Sequence, residues 1–320
     1  MSDVQSMAIQ NRILEIRSGS HLYGTNTPKS DEDFAGIFMP SEEFIFGLQN
    51  VEECKAGVIS KDEHGKNTKD AIDRTLHEFR RFCQLALKNN PNILELLFAN
   101  EKNIVFKNEY GETLLSVAEM FPYKGTYTAF MGYAQAQKHK MFLKIEKLDD
   151  LESGYYTLCA LEDKLVMAQV VDNIGKPFFR KGNNPHVHIG DLCFEAGVYV
   201  KKARAAIKER LDKFTSRKEF IHEFGFDVKF ASNLIRLLRE GIEILDTGKL
   251  QFPLTYSDEI LSIKKGEWKI EDVIKHAEQL EDVCRKVFET SKLPDKPQFE
   301  KVNKFVIEQM KKFILKGINV

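Results

Sequence analysis

Gly19-Ser20-His21-Leu22-Tyr23-Gly24-Thr25 is followed closely by Ser30-Asp31-Glu32-Asp33-Phe34-Ala35-Gly36, a tight glycine turn and then an acidic run. Just upstream, Ile13-Leu14-Glu15-Ile16-Arg17 ends in the apolar–polar alternation of a strand, although Ile13-Leu14 also fits a helical start. It runs into Ser18-Gly19-Ser20, where glycine permits a sharp turn and a close approach of ligand to backbone. Ser20 adds a hydroxyl beside free backbone N–H groups, the makings of an anion site. A strand over 32–39 turns Asp31 and Asp33 to the same face. Two such carboxylates repel unless a cation lies between them. Hard oxygen ligands suit Mg²⁺ or Mn²⁺, ions that also bind phosphates. Each half has a plainer reading on its own. After Thr27-Pro28-Lys29, the acidic run reads equally as a turn or a helix N-cap. In this order and spacing, the two halves together read as a phosphate grip beside a metal site.

The rest of the chain bounds the possibilities. With 320 residues there is room for two modest domains or one large one. Lys and Arg (47) nearly balance Asp and Glu (48), so no global attraction to nucleic acid is implied. The five cysteines, Cys54, Cys83, Cys159, Cys193 and Cys284, contain no Cys-x-x-Cys pair and read as free thiols in a reducing compartment. Met1-Ser2-Asp3-Val4-Gln5 lacks the basic and apolar regions of a signal peptide, and no apolar run has membrane-spanning length. A cytoplasmic protein without a membrane partner is therefore expected.

The first 115 residues read as mixed α/β. Phe44-Ile45-Phe46-Gly47 and Gly57-Val58-Ile59 read as short strands, and 57–68 as a hairpin loop. From Thr75 to Lys88 the pattern turns helical, with Leu76, Phe79, Cys83 and Ala86 on one face. Asn89-Asn90-Pro91 stops that helix, and a short one follows over Ile93–Ala99. Beyond 115 the chain reads as nearly all helix, with candidates at 126–147, 190–214, 227–246, 270–291 and 301–315. The expected architecture is α+β: a mixed sheet with helices at the N-terminus and a helical bundle after it.

The motif residues resemble the signature of the DNA polymerase β-type nucleotidyltransferase superfamily: Gly-Ser, about ten residues, then Asp-x-Asp on a strand. More narrowly, the chain resembles the RNA repair pathway DNA polymerase beta family of predicted nucleotidyltransferases. The run from Gly19 to Gly36 matches that family, as does Asn90-Pro91-Asn92-Ile93-Leu94-Glu95-Leu96-Leu97. Further matches lie at Gly225-Phe226-Asp227-Val228-Lys229, Arg236-Leu237-Leu238-Arg239, Glu243-Ile244-Leu245-Asp246-Thr247-Gly248 and Gly266-Glu267-Trp268.

The resemblance implies a nucleotidyltransferase catalytic domain over 1–115 and a helical substrate-binding domain over 116–320. It implies that Gly19 and Ser20 hold a nucleoside triphosphate, and that Asp31 and Asp33 hold two Mg²⁺ or Mn²⁺ ions. A third carboxylate, expected on a neighbouring strand, is Asp73 or Asp70; the Asp73-Arg74-Thr75-Leu76-His77-Glu78-Phe79 context favours Asp73, which reads alternatively as a helix N-cap. Glu32 departs from the superfamily's usual apolar middle residue, but strand alternation turns it away from the metals. The implied reaction is magnesium-dependent transfer of an NMP from an NTP to an acceptor hydroxyl, with pyrophosphate as leaving group and two metals stabilising the entering and leaving oxygens. RNA repair in the family name points to an RNA or tRNA end as acceptor; a small molecule or a protein side chain would also serve.

Several features remain open at this level. Lys229 and Arg236 are seven residues apart and share a helix face, read as a triphosphate contact or as a solvated stripe. Tyr133, Gln137 and Lys138 are candidate cleft residues. His186-Val187-His188 has metal-pair spacing, but the preceding Lys181-Gly182-Asn183-Asn184-Pro185 favours a loop. His21 either touches phosphate or is merely exposed. The basic run from Lys201 to Lys218 suits an RNA backbone or an ordinary exposed helix, and no aromatics interleave it for stacking. Two rival functions remain: a non-catalytic, antitoxin-like nucleotide-binding protein, which the two aspartates oppose, and a metal phosphoesterase, which has no need of Gly19-Ser20.

Overall fold

A computed structural model describes residues 3–28, 30–57, 72–174, 180–181, 186–212, 221 and 223–318. In chain order the N-terminal elements are α1 (Asp3–Gln10), β1 (Arg12–Arg17), α2 (Gly19–Tyr23), β2 (Glu32–Phe38), α3 (Glu42–Ile45), β3 (Glu53–Lys55), β4 (Ile72–Glu78), α4 (Phe79–Leu87), α5 (Pro91–Leu97), β5 (Ile104–Lys107) and α6 (Glu109–Ser116). There follow α7 (Thr126–Cys159), α8 (Met167–Ile174), β6 (Arg180–Lys181), β7 (His186–Ile189), β8 (Leu192–Glu195) and α9 (Val200–Asp212). The chain closes with α10 (Val228–Thr247), α11 (Ser257–Lys264), α12 (Ile270–Thr290) and α13 (Phe299–Ile318). The architecture is α+β, as expected.

Two compact units divide these elements. The first gathers residues 1–135, 232–265 and 271–320; the second gathers 136–231 and 266–270. The helical half of the chain is thus shared between them.

In the first unit, five described strands form a mixed sheet in the order β3-β4-β2-β1-β5. The β2–β4 pair is parallel and the other pairs are antiparallel. Interior β1 has Ile13, Leu14 and Ile16 fully buried, as a strand covered on both sides requires. The same strand buries a carboxylate, Glu15, which accepts from Arg74 Nε at 2.7 Å and Arg12 Nη1 at 3.0 Å. A buried charge is tolerable only with such partners. Phe38, Phe44, Val51, Cys54 and Leu76 pack together with Ala8 of α1, and Phe79 of α4 meets Phe305 of α13 edge-on at 6.1 Å.

The second unit has its own core, in which Leu151 and Leu158 of α7, Val170 of α8, Val187 and Phe194 of the second sheet, and Ala203 and Ile207 of α9 are buried. Its sheet has the order β6-β7-β8.

Four expectations change. Phe44-Ile45 lies in a helix rather than a strand, because Ser41-Glu42-Glu43 supplies a first turn with carboxylates at its positive end. The strand before α4 runs on to Glu78, so the helix starts at Phe79 and not near Thr75. His186-Val187-His188 is strand β7, not loop, and the segment read as the start of a helix at 190 is the turn into β8. The expected strand at 58–59, most of the 57–68 loop and Asp70 lie outside the described residues.

Candidate functional site

The Gly19-Ser20 turn is the start of α2, a helix of 5 residues. Gly19 has φ +60°, a left-handed conformation that glycine adopts without a Cβ penalty. A Cβ placed there would lie 2.7 Å from Asp33 Oδ2. Only glycine therefore lets the turn sit directly against this carboxylate. The backbone adds a bond from Ser18 N–H to the Asp33 carbonyl at 2.8 Å. The two halves of the motif are in contact.

The parallel register then brings in the neighbouring strand. Asp33 stands opposite Asp73, Phe34 opposite Arg74 and Ala35 opposite Thr75. Residues paired across strands share a face, so Asp33 and Asp73 project from the same side of the sheet. Asp73 is exposed. It does not cap α4; that role belongs to Glu78, whose carboxylate accepts from Arg81 N–H at 2.9 Å. Asp31 immediately precedes β2 and is half-buried. Glu32 is turned the other way and pairs with Arg17 at 3.2 Å.

These carboxylates offer hard oxygen donors of the kind Mg²⁺ takes. The pair Asp33 and Asp73, with Asp31 at the strand start, fits such an ion in donor type. As placed, no three His, Cys, Asp or Glu side chains among the described residues form a group that could hold a metal ion. At β7, His188 Nε2 lies 3.8 Å from Cys193 Sγ across the hairpin. That contact likewise belongs to no such group.

Arg236 lies elsewhere than either reading expected. It is neither on a surface stripe nor open to a ligand, but only 6% exposed. Its Nη1 donates to Glu95 and to both oxygens of Glu240 at 2.9 and 3.0 Å. Its guanidinium carbon sits 4.4 Å from the centroid of the Tyr23 ring, a cation–π contact. Tyr23 in turn donates its hydroxyl to Glu95 Oε2 at 2.8 Å. The last residue of α2 is thus tied to α5 and α10. Arg239, further along α10, makes a two-pronged pair with Glu259 at 2.9 and 3.0 Å. Lys229, exposed on the first turn of α10, belongs to the second unit. In that unit Arg204 pairs with Asp163 and Arg210 with Asp191, so two cations of the basic run have local acid partners.

The cluster around Arg236 holds two carboxylates for one guanidinium. Burial, reinforced by the negative charges of Glu95 and Glu243 and opposed by Arg236, pushes Glu240 from its ordinary 4.5 up to about 8. Burial also raises the Tyr23 phenol well above 10, so it stays a donor. A carboxyl that binds its proton more tightly when folded contributes most stability at low pH and loses that contribution as pH rises through the folded value. Unfolding free energy should therefore fall as the pH rises from 5 to 8. Urea titrations across that range should show a flatter profile for Glu240→Gln.

Sequence reasoning missed Glu95, Tyr23 and Glu240 as individuals. The one available signal was Glu95, a lone carboxylate inside Ile93-Leu94-Glu95-Leu96-Leu97, where every neighbour is apolar and buried.

Comparison with known proteins places these observations. Residues 4–166 match the model of the RNA repair pathway DNA polymerase beta family. Over 297 residues the chain is 28% identical to an uncharacterized 38.9 kDa protein of the nrdC-mobD intergenic region of Enterobacteria phage T4, covering 84% of this chain and 86% of the phage protein. A crystal structure of a nucleotidyltransferase-like protein from Exiguobacterium sibiricum 255-15 aligns with 90% of this chain and 69% of its own at 8% identity, with a TM-score of 0.26. That likeness is too slight to bear on the site.

Proposed function

Because the chain belongs to the RNA repair pathway DNA polymerase beta family, we propose that it is a nucleotidyltransferase that moves an NMP from an NTP to an acceptor hydroxyl. The observation that carries this reading is the contact of Gly19 with the Asp33 carboxylate, on a strand whose register sets Asp73 opposite Asp33. A turn built to approach a ligand closely and a pair of carboxylates on one sheet face are the two things a metal-bound triphosphate needs.

Asp31, Asp33 and Asp73 would hold divalent cations, Mg²⁺ or Mn²⁺, which neutralise the triphosphate and acidify the attacking hydroxyl when bound. The backbone N–H groups and hydroxyl of Gly19-Ser20 bind the β- and γ-phosphates. Asp73, exposed at the strand, takes the proton of the acceptor hydroxyl. The acceptor oxygen bonds to the α-phosphorus as the bond to the β-phosphate oxygen breaks, and pyrophosphate leaves with that electron pair. Positioning and charge neutralisation supply most of the rate, since the protein forms no covalent intermediate. Lys229, a cation on a long stem, is assigned to phosphate binding, and acceptor recognition to the helical residues 116–320. Arg236 is assigned a supporting place against the Tyr23 ring. An RNA 3′ end, as in tRNA, is the acceptor the family points to.

Incubation with each radiolabelled NTP, Mg²⁺ or Mn²⁺, and total tRNA tests the reading. Label should pass to RNA and be lost in Asp33→Asn. Tight NTP binding with no transfer to any acceptor would show a nucleotide-binding protein instead, and phosphate release from simple esters a phosphoesterase.

A further inference from the structure

We propose that Glu95 and Arg236 are positioning residues for the Gly19-Ser20 turn, acting through Tyr23. The importance of the turn rests on the nucleotidyl-transfer reading; its mechanical dependence on Tyr23 does not.

A helix of 5 residues has almost no stability of its own, since nucleating a helical turn is unfavourable. Its position must be imposed from outside, by burial of Leu22 at its middle and by directional contacts at its two ends. At the N-terminal end, Gly19 abuts Asp33 and Ser18 N–H bonds the Asp33 carbonyl. At the C-terminal end, the Tyr23 hydroxyl bonds Glu95, and the ring lies against Arg236. The Tyr23 carbonyl accepts from Leu254 N–H at 3.2 Å. Between the ends, the Ser20 carbonyl accepts from the N–H groups of Gly24 and Thr25. A shift at Tyr23 is therefore passed to Ser20 through the helix's own bonds. The gap at Gly19 is small enough that the shift changes how the turn meets the carboxylate.

The chemistry of the anchor fits this task. An apolar contact tolerates sliding, but a hydroxyl–carboxylate bond fixes both distance and direction. Glu95 is itself held on both oxygens, one by Tyr23 and one by Arg236. Arg236 is held again by Glu240 one helical turn along α10. A well-packed apolar cluster of the same volume would serve stability as well or better, so the buried ions are best explained by the geometry they specify. This gives the Asn90–Leu97 run a role: it carries the carboxylate that the turn's far end is measured against.

Tyr23→Phe tests this, because it removes one hydroxyl and keeps the ring over Arg236. Asn108→Ala is the control; it strips the N-cap of α6, whose side-chain oxygen Oδ1 accepts from Tyr110 and Gly111 N–H, and touches none of these residues. Amide hydrogen exchange at Gly24 and Thr25 should quicken about tenfold in Tyr23→Phe, the equilibrium equivalent of one net hydrogen bond, and stay unchanged in Asn108→Ala. Affinity for ATP, GTP, CTP or UTP, measured with Ca²⁺, should weaken by a similar factor in Tyr23→Phe alone. Unchanged exchange at Gly24 and Thr25, or equal loss of affinity in the control, would overturn the proposal. If exchange quickens as expected while the wild-type protein binds no nucleoside triphosphate, the positioning stands and the nucleotidyl-transfer reading falls.

Discussion

Arg236→Met should lower the free energy of unfolding by about 3–5 kcal/mol, the range for leaving a buried charge without its partner. The substitution strands Glu95 and Glu240, which are 3% and 0% exposed. Methionine fills much of the guanidinium's volume, so the loss reports charge rather than cavity. Two effects moderate it. Glu240 already favours its protonated form and can shed its charge, and Glu95 keeps the Tyr23 hydroxyl. The lower half of the range is therefore expected at pH 6 and the upper half at pH 8. Adding Glu240→Leu should recover a large part of the loss, because removing both members of a buried pair costs far less than removing one. Urea denaturation at both pH values measures this. A loss below about 1 kcal/mol would place Arg236 among surface arginines, whose ion pairs have that modest worth.

Asp33→Asn should reduce label transfer by about 10²–10³-fold, the scale on which loss of one charge-stabilising group acts, while leaving stability close to wild type. The change is nearly isosteric, so the contact with Gly19 and the strand register are kept. What is lost is one negative charge and the ability to accept on both oxygens. Asp73→Asn should fall in the same class if it takes the acceptor proton, and combining the two should cost little more than either, as for groups that act together. Retention of more than about a tenth of the wild-type rate in Asp33→Asn would remove this carboxylate from the reaction, since general acid–base and electrostatic roles both exceed that margin.

The parts of the fold that were legible in the sequence are those whose signals are local. The alternation at the end of β1 and the helices read at 126–147, 227–246, 270–291 and 301–315 needed no distant information. Local competition explains most of the differences. Phe44-Ile45-Phe46 has strand-forming side chains, yet Ser41-Glu42-Glu43 is a stronger instruction to begin a helix. Thr75 and His77 continue an alternation that a helical reading of Leu76, Phe79 and Cys83 concealed. The β7–β8 hairpin had a signal that was passed over: Gly190-Asp191 is a two-residue connection with φ +58° at Gly190, the kind of turn that joins antiparallel strands. At the candidate site, the Gly19-to-Asp33 spacing was readable because both lie within a few residues of their strands. The burial of Arg236 was not. Spacing put it on the face of Lys229, but its environment is set by Glu95, which is 141 positions away. No pattern within α10 announces that partner.

The surroundings of α2 come from widely separated parts of the chain. Thr25, two residues after it, is buried and accepts from Lys264 Nζ at 3.2 Å across 239 positions; Leu254 and Arg236 are almost as distant. Closing such long loops is slow compared with forming local contacts. During synthesis, which runs from the N-terminus, the sheet strands and α5 leave the ribosome well before these partners exist. Glu95 must then wait in a nascent core without its guanidinium, and the turn beside Asp33 cannot reach its final position until α10 and α11 have docked. Final placement of the turn is thereby tied to synthesis of α10 and α11, so a chain broken off before residue 232 would carry the whole Gly19–Gly36 motif and still lack the support that sets its shape.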